Sequence, residues 1–451
     1  MRKRNRIVQL LLFAVFVMMA AGCSKEGAKA PNFSAEISEA PKDSDLPTAA
    51  SEPQKDSDLP AAASETESSK YAEAEHIAEL CRELYEKAAQ TNTSGSLEVM
   101  ESIVERLGGQ GYAAVDSKNQ VDMTNAKQVL EFCEAAEKQE PAELTILVAE
   151  DCGLRKFDIK TEDGSINIVR EYCQYDENGS LKNIDTASYP ADRWQLTKEG
   201  YLIFEGKYFS AVNYVLTLSD TPEHTVLRIL PLDEACREWN RKYILPVGYG
   251  RNNIFLSDWS EEDFEALELY DVFDVFYPEL YQKPVPYAAD ENLNAGAVYQ
   301  VPEHEFETVI SAHFKIDRET IRAKTAYVPK DRVYEYRPRG FYEVDYSDIP
   351  YPEVVSGTEN QDGTITLFVN GVYPDGKTSR LFSHKTVIRP LKEGESKGGG
   401  EEAFEYVSNQ VIVSSEPDKA EGISAEGEHS FWWHAERLSW EQWMEIYGGK
   451  E

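Results

Sequence analysis

The chain is poor in the side chains that carry most metal and redox chemistry, with six cysteines and seven histidines in 451 residues. No two cysteines form a C-x-x-C pair. His304 and His313 lie nine positions apart, not i, i+4, so zinc-ligand spacing is missing and no metal site is expected. Basic residues are scarce too: 46 Lys and Arg against 81 Asp and Glu give a formal charge of −35. Phosphate backbones and anionic membrane faces are held by clustered Lys and Arg, so neither a nucleic-acid binder nor a protein adsorbed by charge fits. A G-x-S-x-G nucleophile elbow is absent. Gly248-Tyr249-Gly250 lacks the third glycine of a dinucleotide fingerprint. Asp176 to Gly179 is a fragment of a calcium loop without its distal glutamate. Carboxylates abound, but no linear spacing marks two of them as a glycosidase pair. No catalytic residue and no cofactor is expected, and the chain reads as a non-enzyme.

One long apolar run is present, Ile7 to Ala21, broken by Gln9 and preceded by Arg2, Lys3, Arg4 and Arg6. It falls short of the roughly 20 residues of a comfortable membrane span. A cationic start, a short apolar core and a small-residue exit form the secretory signal pattern. The exit, Ala20-Ala21-Gly22-Cys23, resembles the bacterial lipobox, with Ala20 where that pattern usually has leucine. The resemblance implies cleavage between Gly22 and Cys23 and a diacylglyceryl group on the Cys23 thiol. Each buried methylene of such a group contributes roughly 0.8 kcal/mol to membrane anchoring.

Residues 23–70 then read as the lipidated cysteine and a disordered acidic linker. This stretch is rich in Ser, Ala, Pro, Glu and Asp and holds a tandem repeat beginning at Lys42 and again at Lys55. Each copy offers a single leucine, too little apolar surface to offset the entropy of ordering it. As a flexible coil it would span about 40 Å.

The remainder is 41% hydrophobic and 11% aromatic on the whole-chain count, enough for a core. Ile77, Leu80, Cys81, Leu84, Tyr85 and Ala88 make one helical stripe. Val99 to Leu107 make a second, with Gly108 as its C′ residue, and Ala126 to Ala136 a third ending before Pro141. From Leu144 the period becomes that of strands. Turns at Gly164, Gly179 and Gly200 space out an antiparallel meander, and Val212 to Leu230 adds two candidate strands. Residues 232–242 read as helix. A further helix is expected to start at Ser260, stapled by Trp259 and Phe264 and stopped by Pro278. Pro284 and Pro286 mark an expected boundary, giving units at 71–282 and 283–451. The second unit holds a helix near Glu303–Phe314, a tyrosine-rich passage and strands at Gly363–Val369, Lys385–Ile388 and Phe404–Val413. The expected fold is therefore α+β: an N-terminal helical unit followed by antiparallel β-meander regions with interspersed helices.

Several runs carry a resemblance beyond the leader: Pro302 to Ile310, Phe314 to Asp317, Tyr351 to Val355, Asn360 to Leu367, Tyr406 to Asn409 and Asn240 to Gly248. They resemble an uncharacterised family of lipoproteins from Gram-positive, clostridia-type bacteria. That resemblance implies a cell-membrane, extracytoplasmic location and transfers no catalytic residue. At the C-terminus, Ser439 and Gln442 suit a capping box, and Trp440, Trp443 and Tyr447 share a helix face. With Trp432 and Trp433 they form either a ligand-stacking platform or the buried side of a docked helix. The leading expectation is a lipid-anchored binding module for an extracellular protein or glycan. A solute-binding lipoprotein of a transporter and a wall- or carbohydrate-active hydrolase are the alternatives.

Overall fold

The computed structural model describes residues 63–447, apart from 163, 177–179, 288–296, 341–342, 344–348, 373–379, 393–402, 413–420, 424–428 and 432. The first helix, α1 (Ala63–Thr91), buries Ile77, Cys81, Tyr85 and Ala88 as the stripe requires. Its first two turns occupy sequence expected as linker. Ile77, Cys81 and Tyr85 pack with Met100, Ile103, Val104 and Leu107 of α2 (Leu97–Gly109) in one shared core. Gly108 lies inside α2 and does not terminate it. A Cβ there would stand 2.5 Å from the Thr124 side chain, so close packing explains the glycine, and the positive φ belongs to Gly111 (+95°).

Strand β1 (Ala113–Asp116) leads to α3 (Ala126–Glu137) and then to β2 (Ala142–Glu150), parallel to β1. The chain continues through β3 (Gly153–Glu162), β4 (Ser165–Tyr175), β5 (Leu181–Leu196), β6 (Tyr201–Tyr208) and β7 (Thr221–Arg228). These make one seven-stranded sheet in sequence order, antiparallel from β2 onward. Ala114, Leu147 and Ala149 face α1 and α2, while Ala113, Val115, Ile146 and Val148 face α3 on the opposite side. Helices on both faces explain why β1 is buried at every position instead of alternating.

Between β6 and β7 the sequence pattern misleads. Residues 211–217 form a short helix, α4 (Ala211–Thr217), and only one strand follows it before Leu230. Ser210 caps α4, its Oγ accepting the Asn213 N–H at 3.5 Å.

The second half opens with α5 (Glu234–Trp239) and a π-turn over Asn240–Ile244. The helix expected at Ser260 is absent. Trp259–Ser260 is instead a two-residue strand, β8, pairing with Asn409 and Ser408. Trp259 and Phe264 do meet, stacked at 5.9 Å. The helix starts later, α6 (Leu269–Tyr281), capped by the Glu268 carboxylate on Tyr270 N–H, and Pro278 sits within it. Next come β9 (Tyr299–Pro302), α7 (Glu303–His313), α8 (Arg318–Ala323), β10 (Tyr327–Val328) and β11 (Val333–Tyr336). Then follow β12 (Tyr351–Glu359), β13 (Ile365–Val372), β14 (Phe382–Pro390), β15 (Phe404–Ile412), β16 (Glu421–Ile423), β17 (His429–Phe431) and α9 (Trp440–Tyr447). Strands β12 to β15 and β8 form a five-stranded antiparallel sheet.

Phe273 of α6 stacks on Phe306 of α7 at 5.0 Å, and Phe306 on Tyr334 of β11 at 4.5 Å. One core runs from Cys236 to Trp433. Residues on both sides of the boundary expected at 283 share that core, and a smaller cluster of Tyr201, Ile203, Val226 and Val372 joins the seven-stranded sheet to the five-stranded one. The fold is α+β, as the alternation of helical and strand periods requires.

Candidate functional site

The C-terminal aromatics were the sharpest sequence feature. The capping box forms: Ser439 N–H donates to Gln442 Oε1 at 2.9 Å, and Gln442 N–H to Ser439 Oγ at 3.3 Å. It orients α9 so that Trp443 is 5% exposed and Trp440 42%. The two rings stack at 5.4 Å, with the Arg337 guanidinium 4.7 Å from the Trp440 centroid. Trp433 is fully buried against Phe382 and Phe431. Trp433 and Trp443 therefore present no face to a ligand. Docking of the α9 stripe buries Trp443, contact with Phe382 and Phe431 buries Trp433, and of the described tryptophans of the expected platform only Trp440 has an open flank. Trp432, Gly22 and Cys23 lie outside the described residues.

Beside α9 sits a buried ionic knot. Asp271 accepts from Arg339 at 3.0 and 2.6 Å and from Arg437 Nε at 2.8 Å. Arg437 also grips Asp274, which takes the Tyr336 hydroxyl at 2.6 Å. Glu343 accepts the N–H groups of Gly340 and Leu438, both at 2.8 Å. Each of these three carboxylates is engaged by the protein's own donors, an arrangement that suits a clasp.

A second polar cluster joins the two halves. Its centre is Asn119, held at φ +51°. Its side chain donates to the Tyr351 hydroxyl at 2.8 Å and accepts Arg228 N–H at 2.8 Å, while its carbonyl accepts Arg237 at 2.8 Å. Asp116, its carboxyl pushed up by burial, caps the loop through the N–H groups of Val121 and Lys118 at 2.8 and 3.0 Å. Alongside lies a cavity of about 120 Å³ bordered by Gly95, Asp116, Lys118, Asp151 and Arg241. Small-molecule sites occupy roughly 300–1,000 Å³, so this one is undersized for a solute beyond a few atoms.

His384 is wholly buried in the five-stranded sheet. Tyr249 hydroxyl lies 3.0 Å from its Nε2 and Asn409 Oδ1 2.8 Å from its Nδ1. A neutral ring with the proton on Nδ1 satisfies both partners. Burial drives its pKa down to about 3. The folded state thus refuses a proton that the unfolded chain accepts near pH 6.5, and stability falls as pH drops below that value. The expected loss from this group is up to about 1.4 kcal/mol per pH unit between roughly pH 6.5 and 3. Urea titrations at pH 7 and pH 5 on wild type and His384→Gln should show a shallower pH slope in the variant; equal slopes would contradict it.

Burial also pushes the Cys81 thiol up to about 12 and the Cys133 and Cys173 thiols up to about 11, which makes them poor nucleophiles. Among the described residues, no group of three or more His, Cys, Asp or Glu is arranged to hold a metal ion.

The sequence also spells Gly371-Val372-Tyr373-Pro374-Asp375-Gly376-Lys377-Thr378, the glycine, lysine and threonine spacing of a phosphate-binding loop. Such a loop joins a strand to a helix. Here Gly371 lies within β13, one residue before its end, and the chain returns antiparallel as β14 with Gly371 opposite Phe382. A Cβ on Gly371 would stand 2.3 Å from the Phe382 ring, so contact with an aromatic ring accounts for this glycine. Lys377 and Thr378 lie outside the described residues.

Five of the exposed large apolar side chains among the described residues sit on one finger between β6 and β7. Phe209, Val212, Tyr214, Val215 and Leu218 are 44% to 78% exposed, and α4 buries no residue. No sequence signal separated these residues from strand core, because a run of valine, tyrosine and leucine reads as β whether or not a core covers it.

Neither a curated protein nor a solved structure matches the chain. A family model does, over residues 67–422, from the first helix through β16 and across both halves. The chain belongs to that family, a family of unknown function (DUF6070).

Proposed function

We propose that the protein is a lipid-anchored extracytoplasmic binding module, held to the outer face of a bacterial cell membrane through Cys23. The observation that carries this reading is the leader, in which a cationic start, an apolar core and Ala20-Ala21-Gly22-Cys23 stand in the order of a lipoprotein signal. Two further features support it. The acidic repeats between Cys23 and the first helix suit a tether. Buried carboxylates and guanidinium groups of the body pair with one another at Asp271 with Arg339 and Arg437 and at Glu353 with Arg228.

A binding role draws support from the exposed finger, since apolar surface rimmed by polar residues is the usual mark of an interaction site. Solute capture for a transporter is less supported, because the halves are bridged by the Arg228–Glu353 and Arg237–Asp122 ion pairs and the cavity beside Asp116 holds only about 120 Å³. In the native host, wild type is expected in the membrane fraction and to partition into detergent. Cys23→Ala should lose acylation and leader cleavage at that site. Acyl-free wild-type protein, or cleavage elsewhere, would overturn the reading.

A further inference from the structure

We infer that the finger formed by residues 208–219 is a membrane-insertion element that seats the body on the lipid surface to which Cys23 is tethered. This deepens the anchoring reading and rests on it. The finger stands on the last rung of the β6–β7 ladder, Tyr208 opposite Thr221. From Tyr208 to Ser219 it contains no charged residue, in a chain whose residues are 28% charged. Lys207 and Asp220 flank it. Its fold is defined from within: the Ser210 cap, Phe209 against Tyr214 at 5.5 Å, and Asn213 Nδ2 donating to Ser219 carbonyl at 3.1 Å. It is a mounted tip carrying aromatic and aliphatic side chains, the composition of an interfacial segment.

Leu218 sharpens the argument. It ends α4 in the left-handed region at φ +60°, where glycine or asparagine is the ordinary choice, and it is 77% exposed. For a loop surrounded by water, leucine is unfavourable in both backbone and side chain. For a loop tip set into acyl chains, the side chain is favourable and the backbone strain is offset.

Two features select lipid over a second copy of the chain. The forty residues from Cys23 to Ala63 cannot stretch beyond about 140 Å, so a chain anchored at Cys23 never leaves the neighbourhood of the bilayer. A formal charge of −35 opposes self-association. The same charge opposes approach to anionic lipid, so the uncharged tip should prefer a zwitterionic surface, and salt should narrow the difference.

The test places an environment-sensitive dye on Val215→Cys in the full chain, prepared acylated and reconstituted in phosphatidylcholine vesicles. The acylation of Cys23 is read separately by mass. The expected result is a blue-shifted emission, quenched by spin labels at shallow acyl positions. The shift should be lost on adding Leu218→Asp, an exposed change that leaves the core untouched, and weaker in phosphatidylglycerol at low salt. Water-like emission from a chain whose Cys23 is acylated would overturn the inference and leave the anchor standing. A concentration-dependent shift without vesicles would also overturn it, naming a second copy as the occupant. Unmodified Cys23 in the native protein would remove the anchoring reading, and the tethered-seating inference with it.

Discussion

Replacing Glu353 by alanine is expected to destabilise the protein by about 3–5 kcal/mol, because it strips the counter-charge from a buried arginine. Glu353 lies on β12 and Arg228 on β7, and both are almost fully buried. Arg228 Nε donates to Glu353 Oε2 at 2.8 Å, and its Nη2 and the Tyr201 hydroxyl both donate to Oε1. The remaining guanidinium donor is taken by the carbonyls of Glu199 and Leu230 at 3.2 and 3.1 Å, and the Tyr201 ring lies 4.3 Å from the guanidinium carbon. With the carboxylate gone, the cation has no water to turn to. The double variant Arg228→Met/Glu353→Met removes both charges and should recover most of the loss. Urea unfolding of the two variants reads this directly. A Glu353→Ala midpoint equal to wild type would mean that the junction is wetter and looser than described.

The second large effect is expected at Asp271. Its carboxylate, 1% exposed on the first turn of α6, serves Arg339 and Arg437 together. Asp271→Ala would leave two buried guanidinium groups facing each other with Asp274 alone between them. We expect a loss of about 3–5 kcal/mol. The effect should be local first. Arg437 and the Arg339 bond to Ala435 carbonyl, 2.6 Å, clasp the segment that leads into α9. Its release should expose Trp443, shifting tryptophan emission to the red and opening the Ala435–Tyr447 segment to protease before the body unfolds. A variant that unfolds in one step, with native emission up to the midpoint, would contradict the clasp.

What could be read from the sequence follows from the range of the interactions involved. The α1 stripe, the capping box of α9 and the hairpin turns at Gly164 and Gly200 are set by neighbours within a dozen residues, and local periodicity exposed them. Ser260 is different. Its strand conformation depends on Asn409 and Ser408, far along the chain, so a good local helix signal lost to a distant partner. The finger failed for the opposite reason, since its β-prone residues have no sheet face to cover. The junction was invisible altogether. Asn119, Arg228 and Glu353 are unremarkable polar residues in sequence, and only the fold brings residues 109 and 125 positions apart into contact. The prolines at 284 and 286 look like a linker, yet the aromatic core of α6, α7 and β15 closes around both sides of them.

The account turns on covalent chemistry at one sulfur atom. Intact-mass and N-terminal peptide analysis of the protein isolated from its own cells tests it most directly. The prediction is a chain starting at Cys23 and heavier than its residues by a diacylglyceryl group. A chain that retains its leader, or that starts at another residue with a free Cys23 thiol, would contradict it.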